Sequence, residues 1–172
     1  MRLAILDSGH GFGTKALFAL ISAVSRQPVL DVIKLVKYRP DFYGRPMQRV
    51  THEAMRGPSA WSVGHAAVAA KAFPDEARVA AVLSDLQTAA IGEPLRATLR
   101  MLCKLTREHP VSADDMRAVL AAGVSRDQIE DALAVCFAFN AIDRLADAFG
   151  FLVPSPKALD FGAKYLLARG YR

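Results

Sequence analysis

The groups that could do chemistry are few and scattered. Four histidines, His10, His52, His65 and His109, lie far apart, with no pair at the spacing that puts two imidazoles on one helix face. No metal site is expected from them, because a tetrahedral site needs clustered nitrogen, sulfur or carboxylate ligands. His52 and Glu53 are neighbours, but adjacent helical residues do not face each other, so both read as surface groups. Cys103 and Cys136 have no second cysteine two or three positions away. Both fall within helical patterns, where each reads as a small buried hydrophobe. Pairing between them across helices is left open, because distance in space cannot be read from the chain. The stretch Asp7-Ser8-Gly9-His10-Gly11-Phe12-Gly13-Thr14-Lys15 imitates a phosphate loop. The order Gly13-Thr14-Lys15 is wrong for a P-loop, and Thr14 stands where a dinucleotide fingerprint needs its third glycine. No cofactor is expected, and residues 1–14 read as a flexible lead-in.

One more polar set sits on the longest apolar stretch. Asn140, Asp143, Arg144 and Asp147 recur at i, i+3, i+4 and i+7, a stripe amid apolar neighbours. It fits a hydrogen-bonded helix or subunit contact. The alternative is that Arg144 and Asn140 line a cavity.

The element that must carry this stripe runs from Ser125 to Gly150. Ser125 and Gln128 form an N-terminal capping box, and Gly150 suits a left-handed stop. Ile129, Leu133, Cys136, Phe137, Asn140, Ile142 and Leu145 keep helical spacing between them. Its centre is apolar almost all round, so it is expected to be a central helix buried on several sides. Before it, amphipathic patterns predict helices over 15–26, 29–37, 47–55, 65–73, 75–90, about 94–108 and 112–122. Pro40 and Pro46 bound a turn, and Pro110 breaks the helix before it. After it, Pro154 and Pro156 mark a linker to a last helix in 151–172, over 157–168. The fold class is therefore all-α, in one domain over 1–172.

The bulk properties agree. A chain of 172 residues with 52% hydrophobic and 23% charged side chains is globular in composition. Its net charge of +5 is spread along the chain, which argues against nucleic acid as a partner. A helix-turn-helix over 114–137 is disfavoured, since Asp127, Glu130 and Asp131 would meet phosphate at the start of the reading helix. No membrane span and no leader peptide are read, and the cytoplasm is the expected location.

Three motifs occur in a specific order: Tyr38-Arg39-Pro40 with Phe42 and Gly44; Met55-Arg56-Gly57-Pro58-Ser59 with Trp61-Ser62; and Phe139-Asn140 with Asp143-Arg144-Leu145-Ala146-Asp147-Ala148. In this order they resemble the peroxidase-related branch of the AhpD-like, carboxymuconolactone-decarboxylase-type family, over nearly the whole chain. The resemblance implies an AhpD-like helical bundle, a homo-oligomer, and thiol-dependent reduction of a small-molecule hydroperoxide. In that family the activity uses a Cys-x-x-Cys pair, a downstream histidine and a glutamate. His65 matches the histidine. The cysteine pair and the glutamate have no counterpart, because Gly64 runs directly into His65-Ala66-Ala67-Val68-Ala69. A block of roughly 20 residues, five to six helical turns, is missing at that seam relative to the family. Either the deletion is real, or the sequence omits a segment the protein has. A histidine alone is a base without a nucleophile. The second reading of the same scaffold is a non-catalytic small-molecule-binding or assembly protein, using the pocket around Trp61 and His65 or the Asn140–Asp147 face.

Overall fold

A computed structural model describes residues 4–61, 76–108 and 110–171. About three quarters of the described residues are helical, and none of them forms a strand, so the protein is all-α. Nine α-helices are described: α1 (Ile5–Ser8), α2 (Phe12–Ser25), α3 (Asp31–Tyr38), α4 (Arg45–Arg56), α5 (Glu76–Ser84), α6 (Glu93–Glu108), α7 (Ala113–Ala121), α8 (Arg126–Phe149) and α9 (Pro156–Arg169). A single π-helical turn, Pro40–Gly44, lies between α3 and α4. Where the sequence reads as one domain, backbone proximity divides the chain into two compact units, one of 1–53 with 138–172 and one of 54–137.

The 54–137 unit is built on a helical hairpin whose ends are fixed locally. Ser112 caps α7 in a capping box with Asp115. The helix stops in a Schellman arrangement: the Gly123 amide donates to Leu120 O and the Val124 amide to Val119 O. Gly123 has φ +87°, which a residue with a Cβ adopts only under strain. Two residues later Ser125 opens α8. The Gln128 amide donates to Ser125 Oγ, and the Ser125 amide donates to Gln128 Oε1, which is the expected capping box. The turn thus brings the end of α7 and the first turn of α8 to one cluster. Ala97 and Met101 of α6, Val119, Val124 and Ile129 form the buried cluster between them, with Trp61, Leu102, Met116 and Leu133 packed around it.

The stop of α8 also follows the sequence. Gly150 has φ +60°, its amide donates to Asp147 O, and the Phe151 amide donates to Ala146 O. The helix is not buried on several sides, however. Only Ile129 and Ala138 along it are buried, and Phe137 is 60% exposed. An apolar circumference shows what a helix could bury, while neighbours decide what it does bury.

In the unit of 1–53 and 138–172, the expected lead-in is a folded element. Leu6 of α1 is fully buried, and His10 is buried between Phe18 and Tyr38, with its Nε2 3.2 Å from Leu6 O. A Cβ at Gly9 would lie 2.9 Å from the Tyr38 ring, so α1 approaches α3 closely there. Asp31, at the first turn of α3, is buried beside Lys34 at 3.1 Å and accepts the Leu152 amide at 2.9 Å. Lys34 also reaches Asp7 at 2.7 Å. Asp31 thereby holds the loop after α8 on α3, while Lys34 holds α1. Ser155 caps α9, and Pro156, read from the sequence as a linker residue, stands in its first turn, where a proline leaves no helical bond unmade.

Two boundaries differ from the sequence reading. The expected turn over 38–46 is the π-helical turn, and it runs straight into α4. Pro46 is the second residue of α4, so it does not end the helical run as the sequence suggests. The helix expected over 75–90 ends at Ser84. The chain beyond it wraps round Arg96 of α6, whose guanidinium donates to the carbonyls of Leu86, Gln87, Ala89 and Ile91. These carbonyls take a side-chain donor in place of the helical one.

Candidate functional site

The segment Ser59-Ala60-Trp61 is anchored on the first two turns of α8. Asp131 accepts from Ser59 Oγ and from the Ala60 amide, both at 2.8 Å. Ser59 Oγ in turn accepts the Trp61 amide at 3.1 Å. The Trp61 indole donates to Gln128 O at 2.7 Å, and Gln128 Nε2 donates to Ala60 O at 3.3 Å. Gln128 therefore caps its own helix and holds this segment at once. Trp61 packs against the buried cluster of the 54–137 unit, and its one polar atom is satisfied by backbone. That is the environment of a packing anchor whose ring is half-buried.

Neither Asp131 nor Gln128 stands out in sequence as part of this arrangement. Asp131 enters the sequence argument only as a carboxylate that would repel phosphate. Its partners lie 72 and 71 residues away, so no local pattern reveals them.

His65, the candidate catalytic residue, lies outside the described residues, as does His109. His52 is not a surface group. It is half-buried, and its Nδ1 accepts the Tyr171 amide at 3.3 Å. Asn140 is half-buried on α8, while Asp143, Arg144 and Asp147 are exposed. A shallow cavity of about 330 Å³ is lined by Asp41, Arg45, Pro46 and Arg49, and none of the stripe residues lines it. Arg45 is held there by Asp41 at 3.2 Å, both side chains lying in solvent.

Cys103 is exposed, contrary to the reading of a buried small hydrophobe, and Cys136 is half-buried. Cys136 Sγ lies 3.8 Å from Thr106 Oγ1 on α6. Cys103 is one turn before Thr106 on the same helix.

Charge in this unit is organised around α6 and α7. Lys104 lies 2.7 Å from Asp115, and the hydrogen bond raises its pKa above the usual lysine range. The same bond, with those from Ser112, lowers the Asp115 carboxyl from 3.8 to about 2. Asp85 is lowered by the Thr88 hydroxyl and then by the Gln87 amide. In the other unit, burial raises the Tyr43 phenol. Among the described residues no three His, Cys, Asp or Glu side chains come together in a way that could hold a metal ion. No described helix is long and apolar enough to cross a membrane. Compared with the known protein families, with curated proteins and with solved structures, the chain matches none.

Proposed function

We propose that this chain is an alkylhydroperoxidase-like protein of the AhpD-like type, a thiol-dependent peroxide-reducing scaffold that lacks the Cys-x-x-Cys segment at the Gly64–His65 seam. The observation that carries the reading is the seating of Ser59-Ala60-Trp61 on α8 through Asp131 and Gln128. By resemblance this segment leads into the active-site helix, and a rigid lead-in is what a positioned nucleophile and base require. The all-helical class supports it too. His65 is assigned the role of base. A homo-oligomer in the cytoplasm belongs to the same proposal: Phe137 and Phe139 of α8 are exposed apolar side chains that an oligomer could cover, and two cysteines in 172 residues suit a reducing compartment.

Peroxide consumption by the purified chain with a dithiol reductant tests it. Turnover that His65→Ala abolishes supports the reading, and no turnover removes the enzyme claim. An intact mass well above 18.6 kDa would show that the seam is an omission, and a mass of 18.6 kDa that the deletion is real.

The second reading, a non-catalytic binding or assembly protein on the same scaffold, places its ligand near Trp61 and His65 or on the Asn140–Asp147 face. The exposure of Asp143, Arg144 and Asp147 favours the latter face. A change in Trp61 fluorescence on ligand addition would support the former.

A further inference from the structure

We propose that the exposed apolar surface of α2 and the loop before α9 docks the protein on an anionic lipid surface, lying on the membrane without crossing it. The inference goes beyond the peroxide-reducing reading and does not rest on it.

The surface is built from two segments of one unit. On α2, Phe18, Ile21, Ser22 and Ser25 are half-buried at i, i+3, i+4 and i+7, and the Phe18 ring meets His10 edge to face with centroids 4.9 Å apart. That is the face the unit uses. Leu17, Leu20 and Val24, at i, i+3 and i+7, are exposed beside it, and Phe12 at the helix start is 90% exposed. With 14 residues the helix is about 21 Å long. The second segment is Leu152-Val153, where both side chains are exposed, Val153 by 93%. Gln27, two residues past α2, accepts from Ser155 Oγ at 2.8 Å, and Asp31 accepts the Leu152 amide at 2.9 Å. These bonds make the end of α2 and the loop adjoin. Soluble monomers rarely expose so many large apolar side chains together, and a patch of this kind marks a partner or a membrane.

Charge decides between those occupants. Residues 11–30 and 148–159 contain Lys15, Arg26 and Lys157 and no carboxylate. All three cations are exposed, and among the described residues no carboxylate pairs with them. Leucine, valine and phenylalanine rimmed by unneutralised cations complement acyl chains beneath anionic headgroups. A second copy docked through the same patch would set this basic rim against itself, and like charges across an interface disfavour the pairing. No described helix is long and apolar enough to cross a membrane, and a helix lying in the interface does not need to be.

The test is co-sedimentation of the full chain with two kinds of vesicle, phosphatidylcholine alone and phosphatidylcholine with roughly 30% phosphatidylserine. The expected result is pelleting with the anionic vesicles, little with the neutral ones, and release as added salt screens the attraction. Lys15→Gln and Lys157→Gln should each lower the partition coefficient about fivefold. The double variant Leu20→Ser with Val153→Ser should lower it about tenfold or more. Both sites are exposed, so these variants are expected to fold, which circular dichroism checks; the comparison of the two vesicle types needs only the wild type. No pelleting with the anionic vesicles would overturn the proposal. So would equal pelleting with both kinds, or pelleting that the Leu20→Ser, Val153→Ser variant leaves unchanged. Light scattering without lipid addresses the other occupant: wild type and the double variant should have the same mass in solution. A wild-type oligomer that dissociates in the double variant would show that a second copy covers the patch, and would overturn the lipid assignment. Peroxide turnover plays no part in either readout.

Discussion

Helix α2 and the α7–α8 hairpin are both apolar helical stretches, and they meet different fates. Helix α2 carries one charged side chain, Lys15, among 14 residues, yet none of its residues is buried, and Leu20 is 61% exposed. It starts at Gly11 with no side-chain cap and ends at Arg26, a non-glycine residue with φ +53°. The hairpin has a capping box at each helix start, a glycine at the turn, and Val119 and Val124 buried beside it. The difference teaches that hydrophobic content sets only the capacity for burial. Local caps fix where helices begin and turn, and the turn delivers one apolar face to another.

The largest expected effect contrasts the two regions directly. Met101→Ala, in the buried cluster, should lower the unfolding free energy by about 2–5 kcal/mol. Leu20→Ala on α2 should change it by no more than about 0.5 kcal/mol. Denaturant midpoints of the two variants check both. Equal losses would mean that α2 is packed as tightly as the cluster.

Asp31→Ala tests the polar tie in the first unit. It removes a buried carboxylate from Lys34 and from the Leu152 amide, and should cost about 2–3 kcal/mol. Faster hydrogen exchange at the Leu152 amide is the specific signature. A protected amide in the variant would show that the loop after α8 is held by something else.

Smaller effects come from the helix ends, with opposite signs. Gly123→Ala should destabilise by about 1 kcal/mol, because alanine is strained at φ +87°. Arg26→Gly should stabilise by up to about 1 kcal/mol, because it relieves the left-handed residue that ends α2. Thermal unfolding of the pair gives both signs.

The smallest effect is a pH dependence. The Asp115 carboxyl is lowered in the folded chain, so its contribution is present above its ordinary value of 3.8 and is lost as pH falls through about 2. The stability difference between wild type and Asp115→Asn should therefore shrink from pH 5 to pH 2. A difference that stays constant over this window would show that the Lys104–Asp115 bond is not linked to folding.

Much of the candidate site was not legible in the sequence, and particular residues show why. Trp61 stood out as a lone tryptophan in a family-like motif, but its anchors Gln128 and Asp131 did not, since they lie 67 and more residues along the chain. Cys136 read as an apolar helix position, and nothing in its neighbours pointed to Thr106. His10 reads as part of a lead-in, because its burial shows only once the Phe18 and Tyr38 rings are brought against it.

By itself the sequence determined the helical class and several helix ends: Ser112, Ser125, Gly123 and Gly150 stand where the structure starts and stops its helices. These signals are satisfied within four or five residues, so they need no knowledge of the rest of the chain. Only the tertiary structure decided which apolar faces were covered, that Asp31 would hold the Leu152 amide, that Arg96 would gather four carbonyls, and that Cys136 would lie beside Thr106. Those outcomes depend on which distant segments pack together, and a polar or thiol group finds its partner only after that packing has removed water from around it.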